Sequence, residues 1–496
     1  EAWKRVQEID RGFADLFQII RLEEPPVPEL WRILLHETRR LESKTGCRFA
    51  LDALPAVVEL SRRYARDRVL PGSAAGFLER LASKHGGREI GRAVALADFS
   101  SATGLRLALC DDERPLSRDE SVGAMRAELI GQEGALAALA DRVCLAKAGL
   151  NDPGRPLGSL LLLGPTGVGK TQSAKALANF LFGDPAQLVR FDMNEFSSYG
   201  SAALLVGSFH EPEGLLTSAV RRSPHCVLLL DEIEKAHPDI HDLLLQVLGE
   251  GRLTDALGRT TDFTNAFVLL TSNLGVKEAG ARLGFGAGAA AQPAAYGKAA
   301  ERFFRPELFN RLDRVVPFET LSRENMRRIA DLVVGEVFAR EGLARRNCVL
   351  RVEPLAMEKV IDLGYDPQLG ARALKRAVER QLTLPAAASL SELKPGAPAL
   401  VQLLPAPGGV SVLVRELGNA GPRAGSAATL DLANPREALG RAALAARRLS
   451  AELEAKSPPS PVGASDYGYF MAKERVARLR ERLDGLLKRE ESAAGA

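Results

Sequence analysis

Between Ile130 and about Phe318, four short apolar runs at residues 160–163, 188–191, 227–230 and 267–271 alternate with stretches of helical period. Short runs of this kind predict strands. Strands that alternate with helices predict a parallel sheet with helices on both sides. The flanks are helical. Leu54, Val57, Val58 and Leu60 recur at helical spacing within residues 23–90, and Leu70-Pro71-Gly72 interrupts the pattern. Residues 91–125 are mixed and read as a connector. Residues 319–398 are helical again, and residues 399–404 and 410–414 flank 405–409 as the arms of a β-hairpin.

The last part of the chain changes character. Residues 418–434 are rich in Gly, Ala and Asn, a linker composition. Asn434-Pro435-Arg436-Glu437 then reads as a helix start, because Asn caps, Pro fits the first helical position and Glu reaches back. Ala442, Ala446, Leu449 and Leu453 form one apolar stripe, and Val476, Leu479, Leu483 and Leu486 a second, with a Pro-rich break over residues 457–465. The pattern predicts an antiparallel helical hairpin; the plainer reading is a solvated helical tail.

Composition narrows the function classes. The 66 Lys+Arg against 63 Asp+Glu give a net charge of +3. That balance argues against a sequence-independent nucleic-acid binder, whose affinity comes from clustered cations. No run approaches the roughly 18 apolar residues of a membrane span. Cys47, Cys110, Cys144, Cys226 and Cys348 are scattered, without CxxC pairs or His at ligand spacing, and read as reduced thiols of a cytoplasmic protein. Residue 1 is Glu, so the natural chain is expected to begin earlier, and no basic-then-apolar leader precedes the globular pattern.

Gly164-Pro165-Thr166-Gly167-Val168-Gly169-Lys170-Thr171 fits G-x-x-x-x-G-K-[ST]. The glycines let backbone N–H groups turn inward around phosphate oxygens, and the helix that follows presents its positive end. Lys170 is placed for the β- and γ-phosphates of ATP, and the Thr171 hydroxyl for Mg²⁺. Some 60 residues on, the run 227–230 ends in Asp231-Glu232. A carboxylate at a strand end beside the phosphate loop suits Mg²⁺, and the next one suits a base for an attacking water. The pair favours hydrolysis over transfer to another acceptor.

From Ile130-Gly131-Gln132 to Gly370-Ala371-Arg372 the chain resembles the second ATPase domain of the Clp-type (HSP100-like) AAA+ family. The resemblance rests on Arg155-Pro156-Leu157-Gly158, Asp192-Met193-Asn194-Glu195-Phe196, Leu230-Asp231-Glu232-Ile233-Glu234-Lys235-Ala236-His237-Pro238-Asp239, Gly251-Arg252-Leu253-Thr254-Asp255, Thr271-Ser272-Asn273 and Phe304-Arg305-Pro306-Glu307-Leu308-Phe309-Asn310-Arg311-Leu312-Asp313. It implies an AAA+ P-loop NTPase: a large α/β domain at 126–318 and a small lid domain with a β-hairpin at 319–417. Residues 1–90 then stand for the remnant and lid of a degenerate first AAA+ domain, 91–125 for a connector, and 418–496 for a linker with a helical extension.

The same resemblance implies residue roles. Asn273 corresponds to the sensor that positions the lytic water. Arg311 corresponds to the arginine finger that reaches a neighbouring subunit's ATP; the plainer reading is a pair with Asp313. Arg372 corresponds to the second sensor, and Leu129 and Ile130 to the adenine contacts. A finger useful only in trans implies a ring, expected as a hexamer. The front of the chain resembles the family more thinly, through Phe17-Gln18, Glu23-Glu24-Pro25, Leu60-Ser61-Arg62-Arg63-Tyr64 and Leu70-Pro71. There the family's two arginines before Phe-Gln are Asp15 and Leu16, and its Asp-Lys after Leu-Pro is Gly72-Ser73. An anionic Asp15 cannot stabilise a γ-phosphate, so a first ring built from this chain is expected to be catalytically crippled or structural. The stretch from Gly87 to Ile130 is too short for the coiled-coil middle domain of the disaggregase branch.

The pore segment departs most. The family's Gly-Tyr-Val-Gly loop is missing, the loop after Leu205-Val206-Gly207 is about five residues short, and Phe209, beside His210, is the aromatic left to grip a client. Leu283-Gly284-Phe285 stands where peptidase-docking members carry an aliphatic-Gly-hydrophobic tripeptide; its plainer reading is an ordinary Gly/Ala loop. The expected activity is ATP-driven remodelling of unfolded or aggregated protein clients, with a Clp-type peptidase as a candidate partner and without nucleic acid or membrane. The rival is a nucleotide-gated scaffold that does not thread polypeptide.

Overall fold

The computed structural model describes residues 11–18, 23–64, 69–208, 212–276, 292–346, 348–366, 369–393, 398–407 and 409–417. They fall into two units, one of residues 1–325 with 365–373, the other of residues 326–364 with 374–496. In the first unit, helices Val27–Thr45, Ala53–Tyr64, Gly72–Lys84 and Arg92–Thr103 accompany a short parallel pair, β1 (Arg48–Phe49) and β2 (Glu89–Ile90). The helix Ala53–Tyr64 buries Leu54, Val57, Val58 and Leu60, the stripe read from their spacing. The stretch expected as a connector, 91–125, holds helices Arg92–Thr103, Leu107–Cys110 and most of Arg118–Arg126. The last of these starts on Ser117, whose hydroxyl accepts from the Glu120 N–H.

Next come β3 (Gly158–Leu163), β4 (Leu188–Asp192) and β5 (Val227–Asp231), then an antiparallel pair of β6 (Arg252–Thr254) and β7 (Thr260–Asp262), then β8 (Phe267–Ser272) and β9 (Arg314–Pro317). Five of them make one parallel sheet in the order β4-β5-β8-β3-β9. Residues of β3, β5 and β8 are buried throughout, which is why they read as unbroken apolar runs. Alternate residues feed two cores. Leu160, Leu162, Leu229 and Leu269 pack with Leu136, Leu177 and the helical residues Leu34 and Leu78. Leu161, Leu163, Leu228 and Leu270 pack with Leu244, Val247 and Phe304 on the other face. The helices of residues 27–110 therefore share a core with the first face of the sheet. Truncating one such Leu to Ala costs about 2–5 kcal/mol.

The strand order positions the site. Because β8 lies between β5 and β3, the loops that leave all three emerge side by side: Leu163 pairs with Ser272, and Leu230 with Leu270. Open parallel sheets bind ligands beyond these carboxyl ends. Residues 164, 231–232 and 273 all lie there.

In the second unit β10 (Val349–Val352) pairs in parallel with β11 (Ala399–Ala406), and β11 pairs antiparallel with β12 (Gly409–Glu416). The expected hairpin is present and each arm is longer than its apolar run. Helices Pro354–Gly364 and Leu384–Ser391 accompany it. The stripes read in residues 418–496, and the extension they predict, lie outside the described residues.

Candidate functional site

The loop 164–169 joins β3 to the helix Lys170–Phe182. Gly167 has φ +76°, and a Cβ there would overlap the Leu369 carbonyl, so this turn requires glycine. Gly169, at φ +113°, brings the chain into the helix. The buried Lys170 ammonium donates to the carbonyls of Gly164 (2.6 Å) and Pro165 (2.7 Å) and to Asn273 Oδ1 (2.9 Å). Burial pushes its pKa down to about 8, against the opposing pull of Glu234, Asp231 and Glu232.

Asp231 closes β5, and its two oxygens have different partners. Oδ1 accepts from the Thr271 hydroxyl at 2.5 Å. Oδ2 accepts from the Thr171 hydroxyl at 3.3 Å and from Arg190 Nη2 at 2.7 Å. Thr271 Oγ1 also accepts from the Glu232 N–H at 3.0 Å, which ties β5 to β8 just below the loops. Glu232 has φ +56°, the one non-glycine positive φ among the described residues. Such strain marks positions that the surroundings over-determine. It aims the carboxylate between two amides: Oε2 accepts from Asn194 Nδ2 at 2.8 Å, and Oε1 faces Asn273 Nδ2 at 3.5 Å. Asn273 is fixed in turn, since its N–H donates to Glu234 Oε1 at 3.0 Å.

Thus Lys170, Thr171, Asp231, Glu232 and Asn273 meet in one hydrogen-bonded cluster, as the sequence implied. Thr166 and Val168 lie in the same loop, and the buried Val168 carbonyl accepts from Gln132 Nε2 at 3.1 Å. Leu129 and Ile130 are buried, and Leu129 Cδ1 would stand 2.9 Å from a Cβ on Gly169. Arg372 begins a helix against the loop: the neighbouring Ala371 N–H donates to the Gly167 carbonyl at 2.9 Å, and the Arg372 charge weighs against that of Lys170. Arg311 stands apart from the cluster. It donates to the Leu245 carbonyl and lies against Gly249 of the helix Pro238–Glu250. The plainer reading of Arg311, a pair with Asp313, does not hold. Asp313 is taken by the Ser159 N–H (2.7 Å) and hydroxyl (3.0 Å), with Arg142 at 3.5 Å and Arg155 at 3.8 Å. Phe209, His210 and the tripeptide Leu283-Gly284-Phe285 lie outside the described residues.

Three polar residues of the cluster escaped a reading by motif. Arg190, Asn194 and Thr271 enter through strand register, because Asp192 pairs with Asp231 and β8 flanks β5. The signals in the sequence were the stretches 192–196 and 271–273, which hold Asn194 and Thr271 and carry the resemblance without giving either a role. Chemically, the cluster offers a glycine turn at the N-terminus of a helix and a buried ammonium for phosphates. It adds a hydroxyl and a carboxylate oxygen for a hard cation, and a restrained carboxylate with two amides for a water.

Comparison with known proteins agrees with this geometry. Residues 155–315 match the family model "AAA domain (Cdc48 subfamily)", and residues 321–397 match the "C-terminal, D2-small domain, of ClpB protein". The chain is 34% identical over 439 residues to the ATP-dependent Clp protease ATP-binding subunit ClpE of Lactococcus lactis, covering 76% of this chain and 58% of that one. It is 48% identical over 264 residues to the chaperone protein ClpB of Pseudomonas putida, covering 52% and 30%. Among solved structures it resembles the extended Hsp104:casein complex of S. cerevisiae, at TM-score 0.67 and 28% identity over 81% of this chain and 71% of that one. The chain spans little more than half the length of the first of these relatives and less of the second.

Proposed function

From the premise that residues 155–315 and 321–397 carry the AAA+ ATPase module of the Clp/HSP100 family, we propose that the protein hydrolyses ATP in a ring of its own copies and uses the energy to remodel other proteins. The observation that carries the reading is the cluster in which Lys170, Asn273, Glu232, Asp231 and Thr171 link the ends of β3, β5 and β8.

In this mechanism the N–H groups of 166–169 and Lys170 cradle the phosphates, and Leu129 and Ile130 flank the base. The residues present fit Mg²⁺. Thr171 Oγ1 and Asp231 Oδ2 are hard oxygen donors 3.3 Å apart, and Mg²⁺ commonly takes one or two protein oxygens and fills its octahedron with phosphate and water. The described residues contain no cluster of three or more His, Cys, Asp or Glu that would make an all-protein cage. When bound, the cation neutralises charge on the β- and γ-phosphates. Glu232 takes the proton of the attacking water, and Asn273 and Asn194 hold that carboxylate and water in line. Arg372 reads the nucleotide from its place at Gly167. Arg311 acts on the site of a neighbouring subunit, which requires a ring, as a hexamer.

The clients are unfolded or aggregated proteins, with Phe209 and His210 as the gripping surface and Leu283-Gly284-Phe285 as a docking loop for a Clp-type peptidase. We place the protein in the cytoplasm: its five cysteines are free thiols, and among the described residues no helix is long and apolar enough to cross a membrane. The second reading, a nucleotide-gated scaffold, is favoured by the shortened loop between Leu205 and Gly214. ATPase measured with and without an unfolded protein separates the two. Remodelling predicts stimulation, which Phe209→Ala removes while basal turnover stays. A scaffold predicts no response to the client.

A further inference from the structure

Arg190 sits in the middle of the edge strand β4, and its guanidinium crosses to Asp231 Oδ2 at 2.7 Å. Its side chain is 47% exposed, whereas that of Asp231 is 11% exposed. The other Asp231 oxygen is committed to the Thr271 hydroxyl at 2.5 Å. Oδ2 is therefore the oxygen turned toward Thr171, and Arg190 is bonded to that same atom. Among the described residues no other cation forms an ion pair with Asp231.

We propose that Arg190 is a counter-cation for Asp231 that competes with the divalent metal for Oδ2, and so sets how much Mg²⁺ the site needs before it binds nucleotide. The inference rests on the reading that Thr171 and Asp231 hold Mg²⁺. A guanidinium on Oδ2 compensates the buried carboxylate, which on its own carries a heavy desolvation cost. A divalent cation between Thr171 Oγ1 and Asp231 Oδ2 must approach the same oxygen. Two positive groups on one carboxylate oxygen repel each other, and the guanidinium is the one free to leave: half its surface is in water and its tether is a long, rotatable stem. Arg190 then swings to solvent as Mg²⁺ and nucleotide arrive together, and returns when they depart. The gain for the protein is a site that stays electrically balanced between turnovers and releases metal with product. Arg190 is a positioning residue in this scheme; it touches neither the water nor the phosphate.

The test is Mg²⁺ dependence of nucleotide binding, read without turnover. The full chain is titrated with Mg²⁺ at a fixed concentration of a fluorescent ATP analogue, for wild type, Arg190→Gln and Arg190→Lys. Arg190→Gln should lower the half-saturating Mg²⁺ by roughly twofold to fivefold, the scale of one partly exposed ion pair. Arg190→Lys should fall between, since it keeps the charge and loses the planar fork. In parallel, Arg190→Gln should lower the thermal midpoint in EDTA and leave the midpoint with Mg²⁺ and nucleotide unchanged. An unchanged or raised Mg²⁺ requirement in a folded Arg190→Gln protein overturns the proposal. So does an equal loss of midpoint in both conditions, which marks a purely structural arginine. If Arg190→Gln does not fold, Arg190→Met keeps the apolar stem and serves the same comparison. Failure of the wild type to bind the analogue at any Mg²⁺ concentration overturns the reading of the site itself, whatever Arg190 does.

Discussion

Asn194 holds Glu232: its Nδ2 donates to Oε2 at 2.8 Å across the edge of the sheet, from the turn that follows β4. The same Nδ2 donates to Asp192 Oδ1 at 2.7 Å, so the amide is itself braced. Asn273 faces the second oxygen, and the carboxylate is oriented from both sides. Asn194→Ala should leave nucleotide affinity unchanged and lower turnover by about tenfold, since a small misplacement of a base costs between one and two orders of magnitude. Phosphate release alongside a nucleotide titration checks this; loss of affinity in step with turnover would show that Asn194 supports the loop and not the base.

Arg311 rests on the Leu245 carbonyl of its own chain, outside the cluster that it is proposed to complete in a neighbour. Arg311→Ala should keep nucleotide binding and lose roughly 10³-fold in hydrolysis, the scale of an arginine finger. Mixing Arg311→Ala with Glu232→Gln subunits should recover part of the activity, because some sites then pair an intact base with an intact finger. No recovery on mixing would show that Arg311 does not act between subunits.

His225 lies between Tyr64 and Phe99, with ring centroids 5.8 Å and 6.3 Å away, where the helices of the first unit meet the start of β5. Burial pushes its pKa down to about 4. The folded state then binds fewer protons than the unfolded chain between pH 6.5 and 4. Its contribution to stability is complete above 6.5 and is lost as pH falls toward 4. The thermal midpoint of His225→Phe, which keeps a ring in the cluster, should fall less steeply than that of wild type over this window and run parallel to it above. Parallel curves throughout would contradict the burial argument.

The parallel sheet was legible because β3, β5 and β8 are buried on both faces and cannot hide their apolar runs among polar residues. The short β9, Arg-Val-Val-Pro with an exposed first residue, carries no such signal. Neither does β10, whose burial alternates over four residues. At the site, motif spacing was enough for Lys170, Thr171, Asp231 and Glu232, which follow one another in two short stretches. The partners that orient them were not legible. Arg190, Thr271 and Gln132 are ordinary polar residues in sequence and acquire their roles from strand register and from bonds that span 36 to 187 positions. The resemblance gave Arg311 a role toward a neighbouring subunit; within its own chain the residue donates to the Leu245 carbonyl, and Asp313 belongs to Ser159.

The most direct test of the hydrolytic site is Glu232→Gln, measured for ATP binding and for phosphate release on the same preparation, with Lys170→Ala beside it. The amide keeps the hydrogen-bonding shape of the carboxylate and cannot take a proton. The variant should bind ATP with wild-type affinity and lose turnover by roughly 10²-fold or more, while Lys170→Ala loses binding. Turnover at the wild-type rate in Glu232→Gln, or wild-type affinity in Lys170→Ala, would contradict the account.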